Sequence, residues 1–367
     1  MSNHGSMAAI ALVAAIALGG AAAAGQPRVT NGRVTTQAAG SPLAPAFRAL
    51  VEGTTGATWI GYAVPAAGAG RMTCCADPGG SDGHWSQGCC GGCRLEPDSA
   101  KAGAPSAVAG RVAHIEAADQ MFVLFRVEQG KVQRIRLFAA ECGLDAGGRD
   151  LVWLDGVRPA DSVALLESLA MAEAGAAPRT MDDAVTAMAL HRDPAADAAL
   201  ERLVAPSSPD AVRRKVTFWL GHARGARGLA VLGRVLRDDP SHEVRKSAVF
   251  GVSQSREPGA VDLLSTLART DRDPRIRSEA LFWMAQQAGA KAAAAITDRI
   301  DNDPDTGVKK RAVFALSQLP KDEGVPLLVT VARTNRNPDV RKQAIFWLGQ
   351  SNDPRALAFF EELLAVR

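Results

Sequence analysis

Tyrosine is nearly absent: Tyr62 is the only one in 367 residues. Cysteine is confined to the N-terminal half, so nothing beyond Cys142 can be held by disulfides. No nucleophile elbow, H-E-x-x-H pair or phosphate-binding loop occurs, and the short run Gly68-Ala69-Gly70 lacks the spacing and the Lys-Ser of such a loop. The six histidines, His4, His84, His114, His191, His222 and His242, show no ligand spacing and read as surface residues. Asp145 and the pair Asp182-Asp183 have no acid or base beside them in sequence. A net charge of +3 excludes a polycation, so nucleic-acid binding gains no support from the total. What remains is 47% apolar and 22% charged, the composition of a chain long enough for two domains.

The start of the chain also lacks something. No Lys or Arg stands in "MSNHGS", yet Met7–Ala24 is an apolar run without charge. Small residues at Ala22, Ala24 and Gly25 suit a signal peptidase, so 1–25 reads as a signal peptide with a mature start near Gln26. The alternative is an uncleaved anchor, since the run is about the minimum for spanning a bilayer. No cysteine follows it, which argues against a lipid anchor, and no second apolar run of that length occurs. A periplasmic or secreted body is expected, with membrane contact only if the segment stays uncleaved.

The dominant pattern is a repeat. Val212-Arg213, Val244-Arg245, Ile276-Arg277, Val308-Lys309 and Val340-Arg341 stand 32 residues apart. With the Val or Ile as position 0, position 4 is Val216, Ala248, Ala280, Ala312 and Ala344. Position 8 is Leu220, Val252, Met284, Leu316 and Leu348. Each unit reads as two helices. In residues 257–287, Pro258 suits a first helical turn, and Val261, Leu264 and Leu267 recur at helical spacing. The turn "DRDP" then precedes a helix from about Pro274 to Gln287, and Asp239-Pro240, Asp303-Pro304 and Asn337-Pro338 mark similar turns. Neither helix buries its apolar face alone, but stacked neighbours do.

The lines "NPDVRKQAIFWLG" and "DPSHEVRKSAVFGV" resemble the short HEAT-like repeats first recognised in phycobilisome lyases. The resemblance covers about 195–367 and extends more weakly back to about 160. It implies a mainly α protein: a right-handed α-solenoid over 159–367 whose second helices line a concave surface. Such solenoids serve mainly as binding scaffolds, and only some members act as lyases. An exported chain would be in the wrong compartment for work on a tetrapyrrole. The resemblance also implies a structural ladder at position 1, with Glu243, Asp273, Asp305 and Asp339 as candidate partners for the Arg and Lys residues there.

Placing residues every 100° or so puts positions 0, 4 and 8 on one stripe and position 6 nearly opposite. Position 6 is nevertheless Phe218, Phe250, Phe282, Phe314 and Phe346. Basic residues flank it at position 2 (Arg214, Lys246, Lys310, Lys342, interrupted by Ser278), and amides at position 10 (Gln254, Gln286, Gln318, Gln350, after His222). An apolar strip rimmed by polar groups marks an interaction site, whereas packing between adjacent second helices is the competing reading. Position 7 alternates Trp219, Gly251, Trp283, Ala315 and Trp347, large against small, and reads as core.

Residues 26–158 read as a small α+β or β-rich domain. Strands are expected at 58–64, 121–127, 131–138 and 151–157, with Glu128-Gln129-Gly130 as a three-residue hairpin loop and 96–111 as a connector. Cys74, Cys75, Cys89, Cys90 and Cys93 crowd a glycine-rich loop over 74–93, and Cys142 stands apart. Six cysteines in an exported chain suit three disulfides. A structural zinc held by Cys74, Cys90, Cys93 and His84 is a second reading, although the ligands are not two cleanly spaced pairs. A redox-active pair at Cys90 and Cys93 is a third, but Gly91-Gly92 and "RLEPDS" do not read as a helix that would lower a thiol pKa.

These features point to an exported, non-enzymatic scaffold without a cofactor, binding a protein or peptide on the solenoid. The small domain would add a contact or cap the stack. The alternative is thiol-redox or metal-dependent activity centred on the cysteine cluster.

Overall fold

The computed structural model describes residues 26–67, 75–76, 93–96, 120–140 and 143–365. The expected signal segment, the connector beyond Glu96, and Cys74, His84, Cys89, Cys90 and Cys142 lie outside them.

The central N-terminal strands are near-continuous apolar runs because the middle of the sheet they form is covered on both faces. In chain order the elements are β1 (Val29–Thr30), β2 (Val34–Ala38), α1 (Leu43–Glu52), β3 (Thr58–Pro65), β4 (Cys75–Ala76), β5 (Cys93–Arg94), β6 (Gln120–Glu128), β7 (Lys131–Ala139), β8 (Leu144–Asp145) and β9 (Asp150–Asp155). A six-stranded mixed sheet has the order β2-β9-β3-β6-β7-β4, and β1-β8-β5 make a small parallel one. Along β6, Met121, Val123, Phe125 and Val127 join the core under α1, while Phe122 and Leu124 pack with Trp59, Phe138, Trp153 and Leu95 on the other face. The β6–β7 loop is shorter than the sequence suggested. Glu128 pairs with Lys131, leaving Gln129 and Gly130 at φ 51° and 70°. Two left-handed residues match the strand twist, so a two-residue primed turn replaces the three-residue loop.

Helices follow in pairs: α2 (Pro159–Ala172) with α3 (Pro178–Ala189), α4 (Pro194–Leu203) with α5 (Asp210–Ala223), α6 (Gly225–Asp238) with α7 (His242–Ser253), and α8 (Gly259–Thr270) with α9 (Pro274–Ala288). After a single 3-10 turn come α10 (Ala293–Asn302) with α11 (Thr306–Ser317), α12 (Lys321–Thr334) with α13 (Pro338–Gln350), and finally α14 (Pro354–Ala365). This is the expected mainly α stack of helix pairs behind a strand-bearing region. The Asp-Pro and Asn-Pro turns owe their form to side-chain caps. Asp273 accepts from Arg275 N, Asp305 from Val308 N, and Asn337 from Asp339 N. Positions 0, 4 and 8 are buried in every unit, as Val340, Ala344 and Leu348 illustrate. Among the described residues no helix is long and apolar enough to cross a membrane.

One core runs from the α1-covered face of the sheet into the helix stack. The junction carries polar ties as well. Ala67 N donates to Leu190 O at 2.6 Å, Arg192 N to Pro65 O at 3.0 Å, and Ile135 N to the Asp183 carboxylate at 3.2 Å. The sheet therefore covers the N-terminal end of the stack, at α2 and α3.

Candidate partner-binding face

The second helices α5, α7, α9, α11 and α13 pack directly on one another along the stack. Between α5 and α7 the approach is close: a Cβ at Gly221 would fall 1.8 Å from Gly251 O. Only glycine fits at 221, and a Cβ at Gly251 would likewise fall 2.3 Å from Thr217 O, which explains the glycine at position 7 of that repeat.

Position 6 is neither core nor free surface. Phe218, Phe250, Phe282 and Phe314 are half-buried, and Phe346 is 54% exposed. The rings form an unbroken ribbon with the position-7 indoles. Trp219 meets Phe218 at 5.1 Å, Phe218 stacks on Phe250 at 5.8 Å, and Phe250 meets Trp283 at 4.8 Å. Trp283 meets Phe282 at 4.9 Å, Phe282 stacks on Phe314 at 5.8 Å, and Phe314 meets Trp347 at 4.9 Å. Phe346 closes the series against Trp347 at 5.0 Å. Packing and exposure thus coexist, since each ring covers its neighbour and still reaches the surface. The reading of the Trp column as core holds for Trp219, which is 3% exposed. Trp283 and Trp347 are half-exposed, because their rings turn outward to meet a phenylalanine of the preceding repeat. The Trp283 indole N–H donates to Glu279 at 2.9 Å, whereas those of Trp219 and Trp347 are buried with no acceptor among the described residues.

The flanking columns fall where the helical spacing put them. Arg214, Lys246, Lys310 and Lys342 are exposed, as are Gln286, Gln318 and Gln350, while Gln254 is half-buried. Gln286 donates to Gln318 at 3.4 Å, so part of the amide column links successive repeats. His222 stacks on Phe218 at 5.4 Å and 11°. Burial, then the nearby Arg256 charge, hold its pKa below the ordinary value.

The position-1 ladder is real, but its partners are not the four acids first named. Arg213 pairs with Asp239 at 2.6 Å, Arg245 with Asp271 at 2.6 Å, and Arg277 with Asp303 at 2.8 Å. Each carboxylate opens the inter-helix turn of the following repeat and also accepts a backbone N–H two residues on. Glu243, Asp273, Asp305 and Asp339 are instead placed in first turns or caps. At the fourth step the corresponding acid is Asn335, and the residue facing it is Lys309, which donates to Asp301 O at 2.6 Å. Position 5 was not singled out, yet Thr217, Val249, Leu281 and Val313 are fully buried between repeats, and Ile345 at the last one is exposed. An aliphatic residue in four of the five units, Val249, Leu281, Val313 and Ile345, after Thr217 in the first, was the available signal.

Two polar sites at the sheet junction were also missed. His191, expected at the surface, is fully buried: Tyr62 and Ser162 hydroxyls lie 2.8 Å apart, Ser162 Oγ lies 2.9 Å from His191 Nε2, and His191 Nδ1 lies 2.8 Å from Ala187 O. The carbonyl makes Nδ1 the donor, so Nε2 accepts from Ser162. Burial above all lowers His191 to about 4. Asp183 is buried beside β7, and burial raises its pKa to about 7 against the pull of Ile135 N–H, Arg134 and Lys215. A serine and histidine so enclosed have no route to a substrate, so the triad-like chain is a structural clasp. Asp145, on β8, accepts from the Asn31 amide at 3.0 Å. Among the described residues no group of His, Cys, Asp and Glu has the arrangement of a metal site.

The family model for HEAT repeats matches residues 196–285 and 293–366. No curated protein matches the chain. Among solved structures, human deoxyhypusine hydroxylase is 16% identical, with 56% of this chain and 90% of that one covered and a TM-score of 0.30. The complex of CpcE and CpcF of phycocyanin lyase from Nostoc is 18% identical, covering 42% and 98%, with a TM-score of 0.33. A Kap121p mutant is 12% identical, covering 56% and 27%, with a TM-score of 0.37. Over residues 196–285 and 293–366, somewhat under half of the chain, the sequence matches HEAT repeats, and the helix pairs there stack as an α-solenoid.

Proposed function

We propose that this protein is an exported scaffold that holds a protein or peptide across the face formed by α5, α7, α9, α11 and α13. The aromatic ribbon carries the reading. A packing role alone would bury position 6, yet Phe346 is 54% exposed and the other four are only half-buried. A half-exposed apolar strip between a basic and an amide column has the composition of an interface, with large rings for contact area and polar flanks for direction. The close stacking of the second helices supports their lying on the inner side of the curve. Export rests on the apolar run 7–24. The disulfide made by Cys93, fully buried on β5, supports an oxidising compartment and a disulfide framework for the loop rather than a thiol-redox centre at that residue.

The test uses the full-length chain and Phe314→Ser with Phe346→Ser, comparing thermal midpoints and the proteins cross-linked from a cell-envelope extract, identified by mass spectrometry. A retained midpoint with loss of one identified partner supports the reading. A midpoint that collapses, or a partner set that does not change, overturns it.

A further inference from the structure

The scaffold reading leaves open what kind of segment lies on the ribbon, and the distribution of charge along it is uneven. Positions 2 and 3 present Arg214, Lys215 and Lys246 on α5 and α7, then Ser278 and Glu279 on α9, then Lys310, Arg311 and Lys342 on α11 and α13. Two clusters of three cations thus flank an uncharged or acidic centre. Arg214, Lys246, Lys310 and Lys342 are exposed and make no ion pair within 4.0 Å among the described residues, and Arg311 lies over the Phe314 ring at 5.6 Å. Lys215 reaches Asp182 at 3.5 Å, and the central Glu279 is engaged by the Trp283 indole. Glu243 and Asp339 stand three residues before Lys246 and Lys342 on the same helix face and offset part of each cluster's charge, leaving Arg214, Lys310 and Arg311 as its main source.

The ring orientation limits the occupant further. Phe218 has His222 at 11° and Phe250 at 24° as stacking neighbours, and Phe282 lies at 3° to Phe314. Each of these four phenylalanines therefore gives at least one face to a neighbouring ring, while Phe346 meets Trp347 edge to face at 80°. Nucleic-acid bases bind aromatic residues through open faces, whereas aliphatic and aromatic side chains of a peptide pack well against edges.

We propose that the ribbon binds an extended peptide segment bearing two acidic clusters separated by an uncharged, apolar stretch. One cluster lies on Arg214, Lys215 and Lys246, the other on Lys310, Arg311 and Lys342, and the apolar stretch lies on Phe250, Trp283 and Phe282. The cluster centres are three repeats apart. At about 8–10 Å between packed helices, and about 3.3 Å per extended residue, the acidic centres fall roughly seven to nine residues apart. The proposal rests on the scaffold reading and adds the partner's chemistry to it.

The experiment measures fluorescence anisotropy of labelled synthetic peptides with the full-length chain at low and high salt. One peptide carries two aspartate clusters at the stated separation around a Leu/Phe centre. A second replaces every Asp with Asn, a third moves the same aspartates to the centre, and an oligothymidylate serves as an anionic control. The two-cluster peptide should bind about ten-fold or more tightly than its amide twin, with a difference that shrinks at high salt. It should also bind more tightly than the centre-charged peptide. The charge-reversal variant Lys246→Glu with Lys310→Glu should abolish that preference while keeping the thermal midpoint, because both side chains are exposed. Equal affinity for acid and amide twins overturns the proposal, as does a preference indifferent to the charge reversal. Tighter binding of the oligothymidylate overturns it too. If the twins bind equally and Phe314→Ser with Phe346→Ser abolishes both, the scaffold reading stands and this one falls. If no peptide binds, this inference fails, and the scaffold reading is judged on its own cross-linking result.

Discussion

Arg277 grips Asp303 with two parallel hydrogen bonds, Nε at 2.8 Å and a terminal nitrogen at 2.9 Å, across the boundary between two successive HEAT repeats. Asp303 is 1% exposed and also accepts from Asp305 N, so one carboxylate shapes its own turn and anchors the repeat before it. Removing one partner leaves a buried charge without compensation. Asp303→Asn or Arg277→Met is expected to cost about 3–5 kcal/mol, read as a lower urea midpoint. Lys309→Met, at the step where Asn335 replaces the acid, should cost less than about 1 kcal/mol, because the Lys309 ammonium lies at an exposed backbone carbonyl.

His191 makes the sheet junction sensitive to acid. Its folded pKa, about 4, lies below the ordinary 6.5, so protons favour the unfolded chain. The contribution is complete above pH 6.5 and is lost as pH falls through about 4, amounting to about 3 kcal/mol by the linkage of roughly 1.4 kcal/mol per pKa unit. Urea unfolding at pH 7 and pH 4 should show this loss in the parent, and His191→Gln should remove most of it.

Asp183 acts in the opposite sense. Its folded pKa, about 7, lies above the ordinary 3.8, so its contribution is fully present below pH 3.8 and lost as pH rises through about 7. The residue therefore destabilises the junction under alkaline conditions. Asp183→Asn keeps an acceptor for Ile135 N–H without the buried charge. It should stabilise the protein by roughly 1–3 kcal/mol at pH 8 and change little at pH 4. A thermal midpoint at pH 8 that does not rise would contradict this account.

Gly221 and Gly349 occupy the same repeat position and should respond in opposite directions. A Cβ at Gly221 meets Gly251 O at 1.8 Å, while one at Gly349 meets nothing within 4 Å. Gly221→Ala must push α5 from α7 and should cost about 1–3 kcal/mol or more. Gly349→Ala should be neutral or stabilising by up to about 1 kcal/mol, because alanine replaces glycine in an exposed helix. Differential scanning calorimetry of the two variants checks both signs.

Much of this molecule was legible from its residues because a repeat states its rule several times. The spacing of 32 placed each second helix, positions 0, 4 and 8 gave the core stripe, and the invariant Phe218, Phe250, Phe282, Phe314 and Phe346 marked the face. The strands of β3, β6 and β9 were visible as apolar runs, since a sheet covered on both sides demands little alternation, and β7 by its alternating start. Pairings between repeats were less legible. Arg213 pairs with Asp210 in the first turn of its own helix and also with Asp239, 26 residues on, because the guanidinium crosses to the next inter-helix turn.

Periodicity alone thus determined the helix pairs, their stacking and the existence of an aromatic column, since a helix turns by a constant angle and identical units must meet in identical ways. Only the tertiary structure decided the state of individual groups. Whether position 6 is packing or surface depends on how neighbouring rings overlap, and the answer is both. That His191 and Asp183 are buried beneath a sheet whose strands lie far away in sequence follows from long-range contacts alone. Desolvation there, rather than any local motif, sets their protonation.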